Sequence, residues 1–236
     1  MARSSTPPAR IARGAVRAAR WPEGRPVSPI VLVIGAPGSG KGTQAALLSA
    51  RHHFVYIALG EQLRSEIRHH SRLGRQVARY VAAGRLVPNG LVREEVAAAL
   101  RKERRPIAER GAILDGYPRT LGQAKELLRL LQAARLANPL IVVNLRGADR
   151  VFVPRLLGRG RADDTPIVVL RRLRRFRRET GPMLRFLRRQ ARVIDVPAAP
   201  NASAVARAIW THLRGALRGA QGSVPRHARA RAGRVA

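Results

Sequence analysis

The stretch GAPGSGKGTQ (residues 35–44) follows a continuous apolar run, IVLVIG (30–35), and precedes a helical pattern. Several glycines close together let successive backbone N–H groups point into one concavity, and the following helix adds its positive N-terminal dipole. Lys41 brings a compact ammonium on a flexible stem, which reaches phosphate oxygens as a point charge. Strand, glycine-rich loop, lysine and helix together predict a site for the phosphates of a nucleotide.

The lysine in this loop is informative because lysine is rare in the chain. Lys41 is one of three lysines among 46 basic residues, the others being Lys102 and Lys125. The general phosphate-loop pattern, G-x-x-x-x-G-K-[ST], places serine or threonine directly after the lysine. Here Gly42 takes that place and Thr43 follows one residue later.

Composition limits the class of protein and its partners. The net charge of +32 over 236 residues predicts weak, nonspecific binding to polyanions, and a hydrophobic fraction of 45% is typical of a globular domain. The chain has no cysteine, which excludes disulfides, thiolate zinc sites and catalysis by cysteine. No apolar run approaches the roughly 20 residues of a membrane span. We therefore expect no membrane segment and a cytoplasmic protein.

Both ends of the chain are basic and contain few acidic residues. Residues 1–28 carry six arginines and one acid, and residues 214–236 carry six arginines and no acid. This composition predicts a disordered extension at 1–28 and a basic tail at 219–236, which leaves one domain at 29–218. The first segment also fits the composition of a transit peptide.

Between the two ends, strand-like and helical patterns alternate. This order predicts a parallel, doubly wound sheet, which binds ligands at the carboxyl ends of its strands. The predicted strands are 30–35, 55–58, 112–115, 140–145 and 192–195. A helix is predicted from Thr43 to Ser49, and the further predicted helices are 61–71, 75–83, 91–104, 120–135, 148–157, 166–190 and 203–218.

Four motifs in order resemble one family. GAPGSGKGTQ resembles the phosphate loop of adenylate kinase and its nearest relatives among the nucleoside monophosphate kinases, in which glycine follows the lysine. YIALGEQLRSEI (56–67), GRLVP (84–88) and GAILDGYPRTLGQA (111–124) resemble further motifs of that family. LLGRGRADDTP (156–166) resembles the short-lid version of the family. The resemblance covers about residues 29–216.

The resemblance implies an α/β P-loop kinase fold. Its parts would be a five-stranded parallel sheet flanked by helices, a helical part that binds the nucleoside monophosphate (59–88) and a short lid (158–165). The implied reaction is ATP + AMP to two ADP in a monomer, with Mg²⁺ carried by ATP. Zinc is not expected, because the cysteines that some long lids use for zinc are missing.

The family's functional residues fall on specific positions of this chain. Asp115 would order the magnesium through water. The implied catalytic cations are Lys41, Arg119, Arg155, Arg159, Arg161 and Arg172. ATP would contact Gly35, Ala36, Pro37, Gly38, Ser39, Gly40, Lys41, Gly42, Thr43, Arg155 and Arg159. AMP would contact Leu59, Gly60, Leu63, Arg64, Arg85, Leu86, Val87, Gly116, Arg119, Gln123, Arg161 and Arg172.

Some positions depart from the family pattern. Leu59 stands where adenylate kinases usually place threonine near the AMP base, which leaves UMP or CMP open as acceptors, whereas Gln123 favours adenine. Asn89-Gly90 replaces an acidic pair, and Ile167 stands where glutamate is common. Pro154 would kink a predicted helix and shift the arginine that follows it.

A second class of function is a nucleotide-binding protein that associates with nucleic acid and has no turnover. The net charge and the segment 171–192, which carries ten arginines, favour it. The competing interpretation of the segment is a solvated helix face. The two histidine pairs lack the i, i+4 spacing of a helical metal site, and we predict that all four are surface residues: His52, His53, His69 and His70.

Overall fold

A computed structural model of the chain describes residues 28–198 and 201–220. Most of the two predicted extensions, residues 1–28 and 219–236, lies outside the described residues, so their disorder stays a prediction. At the start of the described part, Ser28 is buried and its hydroxyl donates to the carbonyl of Glu109 at 2.6 Å.

Five parallel strands form one sheet in the order β2-β3-β1-β4-β5, which confirms the predicted fold class. The central strand, β1, is buried along its whole length, as its unbroken apolar sequence requires of a strand covered on both faces. The strands are β1 (Ile30–Gly35), β2 (Val55–Ala58), β3 (Ala112–Asp115), β4 (Leu140–Arg146) and β5 (Arg192–Pro197).

The helices that follow the first one agree with the predicted helices to within three residues at each end, apart from one that the sequence did not suggest. That helix is α5, which contains Pro106. The proline is compatible with the helix because it lies in the first turn, where a missing N–H costs nothing. The helices are α1 (Lys41–His52), α2 (Leu59–Arg68), α3 (Arg72–Ala82), α4 (Asn89–Lys102), α5 (Arg104–Arg110), α6 (Leu121–Ala133), α7 (Asp149–Leu157), α8 (Pro166–Gln190) and α9 (Ala202–Ala220).

Alternate residues of β1 enter two different apolar clusters, one on each face of the sheet. Leu32 packs in a cluster with residues of α4 and α6, such as Val96 and Leu127. Val33 packs on the other face with residues of α1, α7 and α9, such as Phe152. The two layers hold the carboxyl end of β1 rigidly, and the glycine-rich loop leaves the sheet at that end. Among the described helices, none is long and apolar enough to cross a membrane.

His52, predicted to lie on the surface, is buried. Its ring stacks on Trp210 of α9 with centroids 3.4 Å apart and an angle of 9°, and it meets Phe54 edge-on at 6.5 Å. Within the described residues, neither ring nitrogen has a hydrogen-bond partner. The sequence offered no sign of this packing, because Trp210 is distant along the chain. His53, His69 and His70 are exposed, as predicted.

The buried histidine makes the stability of the fold depend on pH. Burial lowers the pKa of His52 to about 4, and the charges of Arg51, His53 and Arg214 lower it further. The unfolded chain has the ordinary pKa of about 6.5, so protons bind the unfolded state more readily. The stability that the neutral ring contributes is present above about pH 6.5 and is lost as the pH falls toward about 4.

We therefore expect His52→Phe, which keeps a stacked ring but cannot be protonated, to lose less unfolding free energy than the wild type between about pH 7 and about pH 4.5. Urea unfolding at both pH values measures the difference. His69→Phe changes an exposed histidine and serves as the control. An equal change in unfolding free energy between the two pH values for His52→Phe and the wild type would contradict the lowered pKa of His52.

Candidate active site

A cleft of about 740 Å³ opens at the carboxyl ends of the strands. It is bordered by the glycine-rich loop, the α2–α3 segment, the end of β3 and the lid segment. Every site residue predicted from the sequence lines this cleft except Ala36, which contributes its carbonyl just behind the wall. The fold thus brings residues from five separate segments together, while their individual roles stay predictions.

The glycine-rich loop takes backbone conformations that side chains rarely adopt. Gly38 and Gly40 have φ angles of 81° and 88°, and a Cβ on Gly38 would come within 2.5 Å of the carbonyl oxygen of Phe152. Gly40 caps α1, so the helix begins at Lys41 with its free N–H groups facing the cleft. The loop has the geometry of an anion cradle.

Lys41 lies at the mouth of this cradle. Its Nζ donates to the carbonyl of Ala36 at 3.0 Å, which folds the side chain back over the loop. Burial lowers the pKa of Lys41 to about 8. Asp115 opposes the shift, and nearby arginines such as Arg119 add to it. In the free protein the ammonium is therefore poorly compensated, and a phosphate group would complete its surroundings.

The position after the lysine has almost no room for a side chain. A Cβ on Gly42 would lie 3.2 Å from Oδ2 of Asp115. A side chain at this position would press on the carboxylate and shift it by a few tenths of an ångström, so glycine fits this arrangement without displacement. The hydroxyl of Tyr56 donates to the same oxygen at 3.4 Å. Sequence reasoning missed Tyr56, which is the second residue of β2 and reaches Asp115 on the adjacent strand β3.

Two arginines meet across the bare backbone of Gly60. A Cβ on this residue would lie 3.5 Å from the guanidinium groups of both Arg64 and Arg119. Arg64 is held by Glu61 at 2.8 Å, and Nε of Arg119 donates to the carbonyl of Gly116 at 2.8 Å. This pair of fixed cations, separate from the glycine-rich loop, has the charge and spacing to hold a second anion.

An apolar wall continues from this second site. Leu59 and Leu63 of α2 and Val87 are buried, and each borders the cleft. Leu59 is 4% exposed and belongs to the core cluster below the sheet edge, so it presents methyl groups and no hydroxyl at the predicted base position. Gln123, also 4% exposed, is a polar side chain among these apolar neighbours.

The short lid is tied down by two aspartates that the sequence analysis did not assign. The side chain of Asp164 is 2% exposed and binds both Arg159 and Arg172, the latter at 2.7 Å. Arg172 also pairs with Asp163. The helix α7 runs through Pro154 to its end, and Arg155 still lines the cleft.

The arginine-rich helix α8 is engaged with the rest of the protein. Arg171 and Arg175 donate to the carbonyls of Ala83 and Gly84, at 2.6 and 2.9 Å, just after the end of α3. Three more of its arginines pair with acidic residues, and these are Arg177, Arg178 and Arg188. With Arg172, at least six of the ten arginines in 171–192 have internal partners. Part of the arginine-rich helix is thus used for contacts within the protein.

A parallel sheet, a glycine-rich loop with a lysine and a second group of cations in the same cleft define a P-loop nucleotide kinase. The adenylate kinase family model matches residues 33–192. The chain is 42% identical to the adenylate kinase of Mycobacterium tuberculosis over 165 residues, which cover 70% of this chain and 89% of the relative. It is 41% identical to the adenylate kinase of Mycobacteroides abscessus over the same shares of both chains. The chain belongs to the adenylate kinase family, as its motifs predicted.

The pKa of Lys41 leads to a prediction for nucleotide binding. Phosphate oxygens prefer the protonated ammonium, so ATP binding to the free protein requires a proton on Lys41 above about pH 8. We expect the affinity for ATP to fall with rising pH above this value, by at most about tenfold per pH unit. Titration calorimetry between about pH 7 and pH 9.5 measures it. Lys41→Arg stays charged throughout, and a parallel pH dependence in that variant would contradict the role of Lys41.

The contact between Gly42 and Asp115 leads to a second prediction. Gly42→Ala places a methyl group against the carboxylate and displaces it by a few tenths of an ångström. We expect the rate of phosphoryl transfer to fall on the order of tenfold, since small displacements of reacting groups are costly. Gly90→Ala is the matched control, because a Cβ there meets nothing within 4 Å. Equal activity of the two variants in a steady-state assay would refute the steric argument.

Proposed function

We propose that this protein catalyses the reversible transfer of a phosphoryl group from ATP to AMP, giving two ADP. The observation that carries the proposal is one cleft with two anion sites, the glycine-rich loop with Lys41 and the pair Arg64–Arg119, beneath the lid arginines. Membership of the adenylate kinase family supports the same reaction.

The reaction needs little covalent help from the protein. Phosphoryl transfer requires the acceptor oxygen and the leaving oxygen to lie in line with the transferred group, and its spread negative charge must be neutralised. Holding both reactants in place lowers the barrier by roughly 7–11 kcal/mol. Lys41 would hold the phosphates of the donor, and Arg64 and Arg119 the phosphate of the acceptor. A protein nucleophile is not required.

The arginines of the lid segment would act on the transferred group itself. Arg159, Arg161 and Arg172 line the same cleft as Lys41 and Arg119, and two of them are oriented by Asp164. Preorganised cations of this kind stabilise the charge that develops in the transition state, at a few kcal/mol each. Closure of the lid over the nucleotides would exclude water, which otherwise competes as the acceptor.

Magnesium fits the residues around the glycine-rich loop. Among the described residues, no group of three or more histidine, cysteine, aspartate or glutamate side chains could hold a metal ion. Magnesium does not need such a group, because it keeps several waters and binds through one or two carboxylates together with substrate phosphates. Asp115, which faces Gly42 at the start of α1, would hold it through water. The ion would supply neutralisation of the phosphate charge.

The acceptor is AMP in the leading proposal. Gln123 supports adenine, since a carboxamide offers both a donor and an acceptor to a base edge. The methyl groups of Leu59 keep UMP and CMP as alternatives. Initial rates with AMP, UMP, CMP, GMP and dAMP, in the presence of ATP and magnesium, decide between them. AMP should be the best acceptor, and a faster rate with a pyrimidine would replace AMP in the proposal.

The remaining features of the proposal concern the state of the protein. A monomer is expected because both anion sites and the lid come from one chain. A cytoplasmic location is expected because a chain without cysteine suits a reducing compartment.

Removing either anion site should abolish turnover. We expect Lys41→Met and Arg119→Ala each to lower kcat by at least about 10²–10³-fold, because each loses a preorganised cation. A coupled assay of ADP formation measures the rates, and thermal unfolding shows that the fold is intact.

Matched controls come from the same chain. Lys125→Met changes one of the other lysines, on the exposed side of α6, and Arg105→Ala changes an arginine that is paired only at the surface. Both should keep wild-type rates. Full activity of Lys41→Met would show that the phosphoryl group is transferred elsewhere.

A further inference from the structure

The carboxamide of Gln123 has little freedom to move. Gln123 is the third residue of α6, and its backbone N–H donates to the hydroxyl of the N-cap Thr120 at 3.2 Å. Its carbonyl accepts a hydrogen bond from the hydroxyl of Tyr117 at 3.1 Å. The side chain is 4% exposed and borders the acceptor half of the cleft. The backbone is therefore fixed at the point from which the carboxamide projects.

One hydrogen bond decides which end of this carboxamide is oxygen, and a second hydrogen bond holds the other end. The backbone N–H of Arg119 donates to Oε1 at 2.8 Å, and a backbone N–H can only donate. At the other end, Nε2 donates to Oδ1 of Asn89 at 3.0 Å. Rotating the amide by half a turn would place two N–H groups against each other at Arg119, and Asn89 would have to turn its own amide to keep its bond.

Asn89 lies where it can bind Gln123 but not a ligand in the cleft. It is the first residue of α4, it is exposed, and it stands outside the residues that line the cleft. Its Oδ1 accepts the hydrogen bond from Gln123. The side chain thus acts on the cleft through Gln123.

We infer that Asn89 is a positioning residue for base specificity, which holds the carboxamide of Gln123 in the orientation that accepts a 6-aminopurine monophosphate and rejects a 6-oxopurine. The inference rests on the proposed function, because it concerns the acceptor of that reaction. The hydrogen bond that Gln123 of α6 donates to Asn89 of α4 then contributes to the choice of acceptor base, although Asn89 does not line the cleft.

The selection follows from the donors and acceptors that remain. A carboxamide has two N–H groups and two oxygen lone pairs, and the bonds to Asn89 and Arg119 use one of each. One donor and one acceptor are left for a base, in a fixed order. Adenine offers an amino donor beside a ring-nitrogen acceptor, whereas hypoxanthine offers an oxygen acceptor beside a ring N–H donor. An orientation that pairs with one base leaves two mismatched contacts with the other.

The test compares AMP with IMP, which differ at this edge of the base. Initial rates of the full chain are measured with each acceptor at saturating ATP and magnesium, and equilibrium binding of each acceptor is measured without ATP. The variants are Asn89→Ala, Asn89→Asp and, as a control on the same helix, the exposed Glu94→Ala. Asn89→Asp keeps an acceptor for the Nε2 group.

We expect Asn89→Ala to raise KM for AMP about three- to tenfold, the effect of one lost hydrogen bond, with kcat nearly unchanged. The preference for AMP over IMP should fall, because the carboxamide is then held at one end only. Asn89→Asp and Glu94→Ala should resemble the wild type. Asn89→Ser, which suits the start of a helix but is too short to reach Gln123, should behave like the alanine variant.

Three results would overturn the inference. They are an unchanged AMP preference in Asn89→Ala, an equal loss of AMP and IMP binding, and a loss in Asn89→Asp as large as in Asn89→Ala. Failure of the proposed function looks different, since the wild type would then form no ADP from ATP and AMP. In that case the binding measurements still compare AMP with IMP and decide the role of Asn89.

Discussion

The mutual repulsion of the cations around the cleft is the constraint on which this structure depends. Nine of them line one space: Lys41, Arg64, Arg85, Arg119, Arg155, Arg159, Arg161, Arg172 and Arg175. Partial desolvation and the neighbouring guanidinium groups of Arg64 and Arg159 lower the pKa of Arg161. Such a concentration of like charge persists only because the fold fixes its members and a few carboxylates offset part of it. The remaining positive charge favours the binding of an anionic ligand.

The carboxylates near the cleft both orient the cationic side chains and offset part of their positive charge. Asp164, almost wholly buried, directs Arg159 and Arg172 toward the same space, and Glu61 does the same for Arg64. Asp115 lies beside the glycine-rich loop, where it accepts from Tyr56 and faces Lys41 and Gly42. The sheet supplies the frame, because β1 and β3 are adjacent and parallel and therefore deliver the loop and Asp115 to the same edge.

Much of this arrangement was predictable from the sequence, because it follows from local rules. Each strand was predicted from short apolar runs, and the loop was recognised by its glycines and Lys41. Contacts between distant segments were not predictable. His52 has an ordinary local sequence, and only the packing of α9 explains its burial. The hydrogen bond from Gln123 to Asn89 joins residues 34 positions apart, and no sequence pattern in either segment predicts it.

The arginines of α8 are a second case in which contacts between distant segments were not predictable from the sequence. Their density in the sequence favoured a polyanion-binding face, since composition records charge but no partners. In the folded chain the first of them reach the carbonyls that follow α3, and others pair with aspartates or glutamates. A chain-wide preference for arginine supplies donors that can span several acceptors at once, which a lysine does less well.

Arg172 joins two parts of the protein that bind different nucleotides in the proposed reaction. It pairs with both lid aspartates, and it lies against Val81 and Gly84, next to its neighbours that hold the end of α3. A displacement of the lid and a displacement of the acceptor segment would therefore each change the contacts of this one side chain. The binding of each nucleotide would then depend on the contacts of Arg172. Thermodynamic linkage requires the resulting coupling free energy between the two nucleotides to be reciprocal. Whatever one nucleotide does to the affinity for the second, the second does equally to the first.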